Sequence, residues 1–222
     1  MIIALVAGGD GGRVSKRPVQ MDASKCQKGK PNYVGSVGVS AWDESHRRAG
    51  VKVWIDPVMA SILDIGGTSL RDRIARRLSR WDTPNVPRVA TFVENVADSD
   101  ISIVYGLTPF QRGIDGITTR TLVAGSFTTQ ARIQLNTLEA LGLETGAFLD
   151  SAVLDSLAAA ALHEFGHALG INGHSPVRRD LMFLDGSGEA CGAACGPTKG
   201  DKNTLAYLAC RAIEDGTGWA TR

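Results

Sequence analysis

The sequence predicts a single α+β domain, and three observations carry that prediction. Short β-branched runs mark strands, an amphipathic stretch marks a helix early in the chain, and a second, almost wholly apolar stretch marks a long helix later on. A helix that is apolar nearly all round has no face for solvent, so it must lie in the middle of the domain, covered on both sides. The chain has 222 residues, 43% of them hydrophobic, which is enough for one domain with a real core. Residues 1–48, rich in glycine and basic residues, with GGDGG and KGKPN reading as loops, are assigned to an N-terminal extension. The folded domain is placed at 49–222.

The elements follow in order. Val51 to Ile55 (VKVWI), closed by Asp56 and Pro57, reads as a strand. Ser69 is a helix N-cap with Asp72 as its capping-box partner, and Leu70, Ile74, Leu78 and Trp81 recur at helical spacing until Pro84 stops the element. Its other face carries Arg71, Arg73, Arg76, Arg77 and Arg80, read as a solvated face in preference to a nucleic-acid surface. Val89 to Glu94, Ile101 to Tyr105 and Ala131 to Leu135 read as three further strands, the first two separated by the polar turn ADSD. The long apolar helix starts at Asp150 or Ser151, both good caps, and runs through LDSLAAAALHEFGHALG. A last helix, with Asp201 as cap candidate and Leu205, Leu208, Ala212 and Ile213 as its apolar stripe, supplies the second cover.

Charge and cysteines bound the partners. With 24 basic and 23 acidic residues the chain is near neutral, which argues against a dedicated nucleic-acid binder or a polybasic membrane protein. No apolar run reaches the length that crosses a bilayer, so no membrane partner is expected. MIIALVAGG at the N-terminus is apolar but short and lacks a basic region before it, so it reads as a truncated signal peptide or a strand. Four cysteines, Cys26, Cys191, Cys195 and Cys210, are an even number without a CxxC pair. That favours two disulfides in an exported protein over a second metal site, with three pairings open. Cys191 and Cys195 are placed to staple the glycine-rich segment FLDGSGEACGAACGPTKG.

The chemistry is concentrated in HEFGHALGINGH, from His163 to His174. On a helix, His163 and His167 lie one turn apart on one face, so both imidazoles reach one metal ion with Glu164 beside it. Zinc held by imidazoles with one position open lowers the pKa of its bound water toward about 7, and a neighbouring carboxylate can take the proton as the water attacks a carbonyl. Glu164 is the candidate base. Gly170 tolerates the left-handed conformation that ends a helix, so the chain can turn there and bring His174, the only later histidine, back as third ligand.

HExxHxxG followed closely by a histidine and then a methionine resembles the metzincin clan of zinc endopeptidases. Met182, in RRDLMF eight residues after His174, resembles the methionine turn beneath the zinc of that clan. The match is closest to the matrixins, whose third histidine is likewise followed by serine, as in His174 and Ser175. One position departs: the usual spacing puts the third ligand at 173, here Gly173. The distance from His174 to Met182 fits the matrixin pattern, so the extra residue is placed in the turn before His174.

The resemblance implies a zincin domain over roughly positions 50 to 215, with a twisted mixed sheet, a long central zinc helix and a small C-terminal subdomain. It implies one catalytic zinc, a protein or peptide substrate, a monomer and a secreted location. It also implies that the strand before the zinc helix is an antiparallel edge extended by the substrate, which points to Ala131, Ile133 and Leu135, because an unpaired edge receives an extended peptide whatever its sequence. The small residues Ala158 to Ala161 either border the pocket for the residue after the scissile bond, Ala160 above all, or only permit close packing. Structural calcium on Asp98, Asp100 and Asp115 is the matrixin reading of aspartates that otherwise cap turns. Cys26, which the resemblance offers as a masking thiolate of the matrixin kind, is read in preference as part of a disulfide or as a free thiol. Two other functions stay open: a catalytically weak zinc-binding protein that holds a partner in its cleft, and a zinc hydrolase of non-peptide amides.

Overall fold

The computed structural model describes residues 41–83, 86–106, 116–123, 127–137, 149–183 and 196–214. Within them the chain is α+β: one mixed sheet of six strands and four helices, the longest of which packs on the sheet. The strands are β1 (Ala41–Trp42), β2 (Val51–Ile55), β3 (Val89–Phe92), β4 (Ile101–Tyr105), β5 (Gly116–Val123) and β6 (Phe127–Leu135). The helices are α1 (Glu44–Ala49), α2 (Leu70–Leu78), α3 (Ser151–Leu169) and α4 (Lys199–Glu214). All strand pairs are parallel except β5 with β6, which run antiparallel.

The sheet corrects the expectation for Ala131 to Leu135. One side of β6 pairs with β1 through Phe127 and Thr128 and with β4 through Ala131 to Leu135, while β5 covers the other side along its length. A strand has only two edges, and both are taken. Ala131, Ile133 and Leu135 are buried in the core and offer no open edge. Among the described residues β5 is the outer strand on that side of the sheet.

Alternation explains how the strands make a core. In β2, Val51, Val53 and Ile55 point inward, as do Ile101 and Ile103 in β4 and Ile133 and Leu135 in β6. The stripe Leu70, Ile74, Leu78 and Trp81 closes on them from α2 and the turn after it, and Ser69 caps α2 by accepting from Asp72 N–H at 3.1 Å.

The far face of α2 is not simply solvated, which overturns part of the reading of its arginines. Arg73 and Arg77, one turn apart, are buried and both pair with Asp155 in the second turn of α3. Arg73 also pairs with Asp64, and Ser151 Oγ donates to the same carboxylate at 2.8 Å. These bonds hold the Asp64 carboxyl below the usual carboxylate range, led by the hydrogen bond from Ser151. A guanidinium presents several donors in a fixed fork, so two arginines can enclose one carboxylate.

The boundary of the domain also moves. Residues 41–48, read as extension, belong to the fold, because β1 pairs with β6 and Trp42 is 1% exposed. Its indole N–H donates to Ala168 O at 2.9 Å, at the far end of α3. Asp43 caps α1 by accepting from His46 N–H at 3.0 Å. Cys26, Cys191, Cys195 and Asp115 lie outside the described residues, and Cys210 is described only as a position on α4.

Asp155→Ala removes the carboxylate that the buried Arg73 and Arg77 share, leaving Arg73 to Asp64 and taking the paired carboxylate from Arg77. We expect it to cost about 3 kcal/mol in urea unfolding, the scale for breaking a buried pair from one side. A loss below about 1 kcal/mol would mean that water reaches the arginines.

Candidate metal centre

Helix α3 carries His163, Glu164 and His167, the two histidines one turn apart on one face and the glutamate beside them. It is capped by Asp150, whose carboxylate accepts from Ala152 N–H at 2.9 Å, and Glu164 lies next to His163 and one turn after Ala160. Its axial position is set by two indoles. Trp81 donates to Leu162 O at 2.9 Å, just before His163, and Trp42 donates to Ala168 O, just after His167.

The helix ends where the site needs it to. Gly170 has φ 129°, a conformation that a side chain would strain, and its N–H bonds back to Gly166 O and His167 O. Ile171 N–H follows to Gly166 O at 3.1 Å, closing a C-cap of the Schellman kind. The chain then reverses, and Ser175 N–H donates to Met182 O at 2.6 Å. His174 joins the other two histidines: its ring centroid lies 5.2 Å from that of His163 and 5.0 Å from that of His167.

One donor nitrogen from each of the three imidazoles lies within 4.8 Å of the others. Their chemistry is set by the opposite side of the rings. His163 Nδ1–H donates to Leu181 O at 2.7 Å, and His167 Nδ1–H donates to Ile171 O at 2.7 Å. Each neutral ring therefore turns the lone pair of Nε2 inward, the arrangement in which outer hydrogen bonds orient metal-binding histidines. The two Nε2 atoms are 3.2 Å apart. Two imidazoles bound tetrahedrally to zinc at about 2.0 to 2.1 Å would hold their nitrogens roughly 3.3 Å apart, so the donor set fits the ion.

Protonation does not resolve the facing lone pairs. Burial pushes both His163 and His167 down to about 4, with the neighbouring histidines adding to the effect, and burial lowers His174 as well. At neutral pH the rings stay uncharged and available to a cation. Among the described residues no other grouping of three histidine, cysteine or carboxylate side chains forms such a cluster. Asp98 lies exposed in its turn, and Asp100 is engaged with Lys52 N–H at 2.7 Å and His46 at 3.2 Å.

Met182 sits beneath the ligand helix, fully buried. A Cβ built on Gly166 would fall 2.5 Å from Met182 Sδ and 2.6 Å from Trp81 Cζ2, so the gap in HEFGH must be glycine for the two to meet it. The turn that carries Met182 is tied to α4. Asp201 accepts from Leu181 N–H at 2.9 Å, Met182 N–H at 3.3 Å and Thr198 N–H at 2.8 Å, while its own N–H donates to Thr198 Oγ1 at 3.2 Å. Thr198 is thus the cap, and Asp201 is its capping-box partner and the anchor of the methionine turn. Asp180 adds bonds to Ser175 and Thr198, both 2.6 Å.

Other site residues differ from expectation. Ala160 lies one turn before His163 and is 4% exposed, and Ala158 to Ala161 are all buried, which accords with their packing role. The strand that does approach the centre is β5, which sequence reasoning missed. Thr118 Oγ1 lies 2.7 Å from Glu164 Oε2, and Arg120 bonds Asn172 in the turn between the second and third histidines. The β-branched residues of GITTRTLV were the available signal, weakened by the absence of an apolar alternation.

No family model matches the sequence, and no curated protein matches it. Among solved structures the chain is similar to one described as "GM1 bound form of the ECX AB5 holotoxin", at 12% identity over 81% of this chain and 90% of that chain, with a TM-score of 0.49. A likeness at that level carries no argument about fold or function.

The depressed histidines make the metal-free chain acid-sensitive in a defined window. Between about pH 6.5, where imidazoles protonate in the unfolded chain, and about pH 4, where His163 and His167 protonate in the fold, the unfolded state binds more protons. Stability present above about pH 6.5 is therefore lost as pH falls toward 4. Thermal melts of metal-free protein should show that decline, and replacing His163 and His167 together with glutamine should flatten it. An equally steep decline in the double variant would assign it to other groups.

Proposed function

We propose that the chain is a zinc-dependent endopeptidase of the metzincin type, closest to the matrixins, with Glu164 as general base. The single observation that carries the reading is the convergence of His163, His167 and His174 with Glu164 adjacent on the same helix. When held by the three histidines, zinc supplies Lewis acidity, lowering the pKa of a bound water toward about 7 and polarising a substrate carbonyl.

The chain's own residues do the rest. Leu181 O and Ile171 O fix the rings of His163 and His167, so little reorganisation is needed on loading. Glu164, buried beside His163, takes the proton of the attacking water and returns it to the leaving amine. An extended peptide pairs along β5, the outer strand nearest the centre, where Ile117 and Leu122 are exposed. Main-chain pairing of that kind suits a protein substrate and is needless for a small amide. It also suits an enzyme that makes few side-chain contacts.

Glu164→Ala should leave zinc bound and the fold intact while lowering cleavage of dye-labelled unfolded casein by at least about a hundredfold, the lower range for a positioned base. Zinc content is measured on the same samples. Equal cleavage by the variant would reject Glu164 as base, and a zinc-loaded native chain that cleaves no casein would favour a partner-holding protein.

A further inference from the structure

The hydroxyl of Thr118 stands between two oxygens of one residue, 2.7 Å from Glu164 Oε2 and 2.9 Å from Glu164 O. Its one proton is drawn to the carboxylate, because a hydrogen bond to a charged acceptor is roughly twice as strong as one to a neutral acceptor. Thr118 is itself held by the sheet, opposite Ile133 in the antiparallel pairing of β5 with β6. A second feature of the same strand closes on the same side chain. A Cβ built on Gly116 would fall 2.8 Å from Glu164 Cγ, so the strand approaches closely enough to confine the glutamate only because that position is glycine.

We propose that Thr118 is the positioning residue for Glu164. A glutamate turns about three side-chain bonds, and a base is effective only when its oxygen meets the proton it removes. Fixing Oε2 from β5 sets the plane of the carboxylate and the direction of its second oxygen. The same strand that receives the peptide thereby aligns the base with it. The inference rests on Glu164 acting as general base.

The test uses the zinc-loaded full chain and an internally quenched peptide with leucine after the scissile bond, with Glu164→Gln measured in parallel. Thr118→Val keeps the shape and the strand preference but removes the donor. We expect kcat to fall about tenfold, the lower end for losing a hydrogen bond to a charged group, with KM within about twofold and zinc content unchanged. Thr118→Ser should keep kcat within about threefold of the native chain, and Thr118→Val added to Glu164→Gln should cost nothing further.

Native kcat in Thr118→Val beside an inactive Glu164→Gln would overturn the positioning role and leave the base reading intact. A rise in KM alone would make Thr118 a substrate contact, and equal loss in the serine and valine variants would make its methyl group the cause. An active Glu164→Gln would remove the base reading and this inference with it. Should the valine variant fail to fold or to hold zinc, Thr118→Ala takes its place in every comparison.

Discussion

Two imidazole nitrogens, one on the buried His163 and one on the half-buried His167, face one another 3.2 Å apart with lone pairs turned inward, and much of the described structure serves to keep them there. Left to themselves, neutral rings in that position would repel or rotate. They cannot rotate, because each Nδ1–H is bonded to a backbone carbonyl, Leu181 O or Ile171 O. Nor can they relieve the contact by taking a proton, since burial holds both near 4. A divalent cation placed between them would relieve it. The cost of holding polar groups in an unfavourable relation without their partner is a known mark of functional sites.

The carbonyls in turn are held by the C-terminal part of the chain. Leu181 belongs to the turn anchored by Asp201 and packed through Met182 against Gly166, and Ile171 belongs to the cap that Gly170 makes possible. The helix between them is fixed from the other side by Trp42 and Trp81, and near its start by the two arginines of α2 around Asp155. Elements from Trp42 to Asp201 thus converge on one helix. The sheet contributes its core face to that helix and, through β5, a threonine to the carboxylate on it.

Legibility in the sequence followed the range of the interactions. His163, Glu164 and His167 could be read because helical periodicity alone places them together, and Gly170 because only a turn makes His174 useful. The α2 stripe was legible for the same reason. Asp155 was not recognised as the partner of Arg73 and Arg77, because charge on a helix face says nothing about a carboxylate some eighty positions away. Asp201 read as the cap of the last helix is instead the capping-box partner of Thr198, and its role as anchor of Met182 needs the fold. For β6, alternation revealed a strand without revealing its neighbours, so an interior strand passed for an edge. Trp42 went unread because the glycine-rich stretch before it masks a two-residue strand. No local pattern marks Thr118, whose partner is on another element.

The central claim is that three imidazoles and no thiolate hold one zinc. X-ray absorption at the zinc edge on stoichiometrically loaded protein tests it most directly. We expect scattering from nitrogen and oxygen alone at about 2.0 to 2.1 Å, with an imidazole signature from three rings that drops to two in His174→Ala. A sulfur shell at about 2.3 Å, or an unchanged three-ring signature in that variant, would place the metal elsewhere and contradict the account.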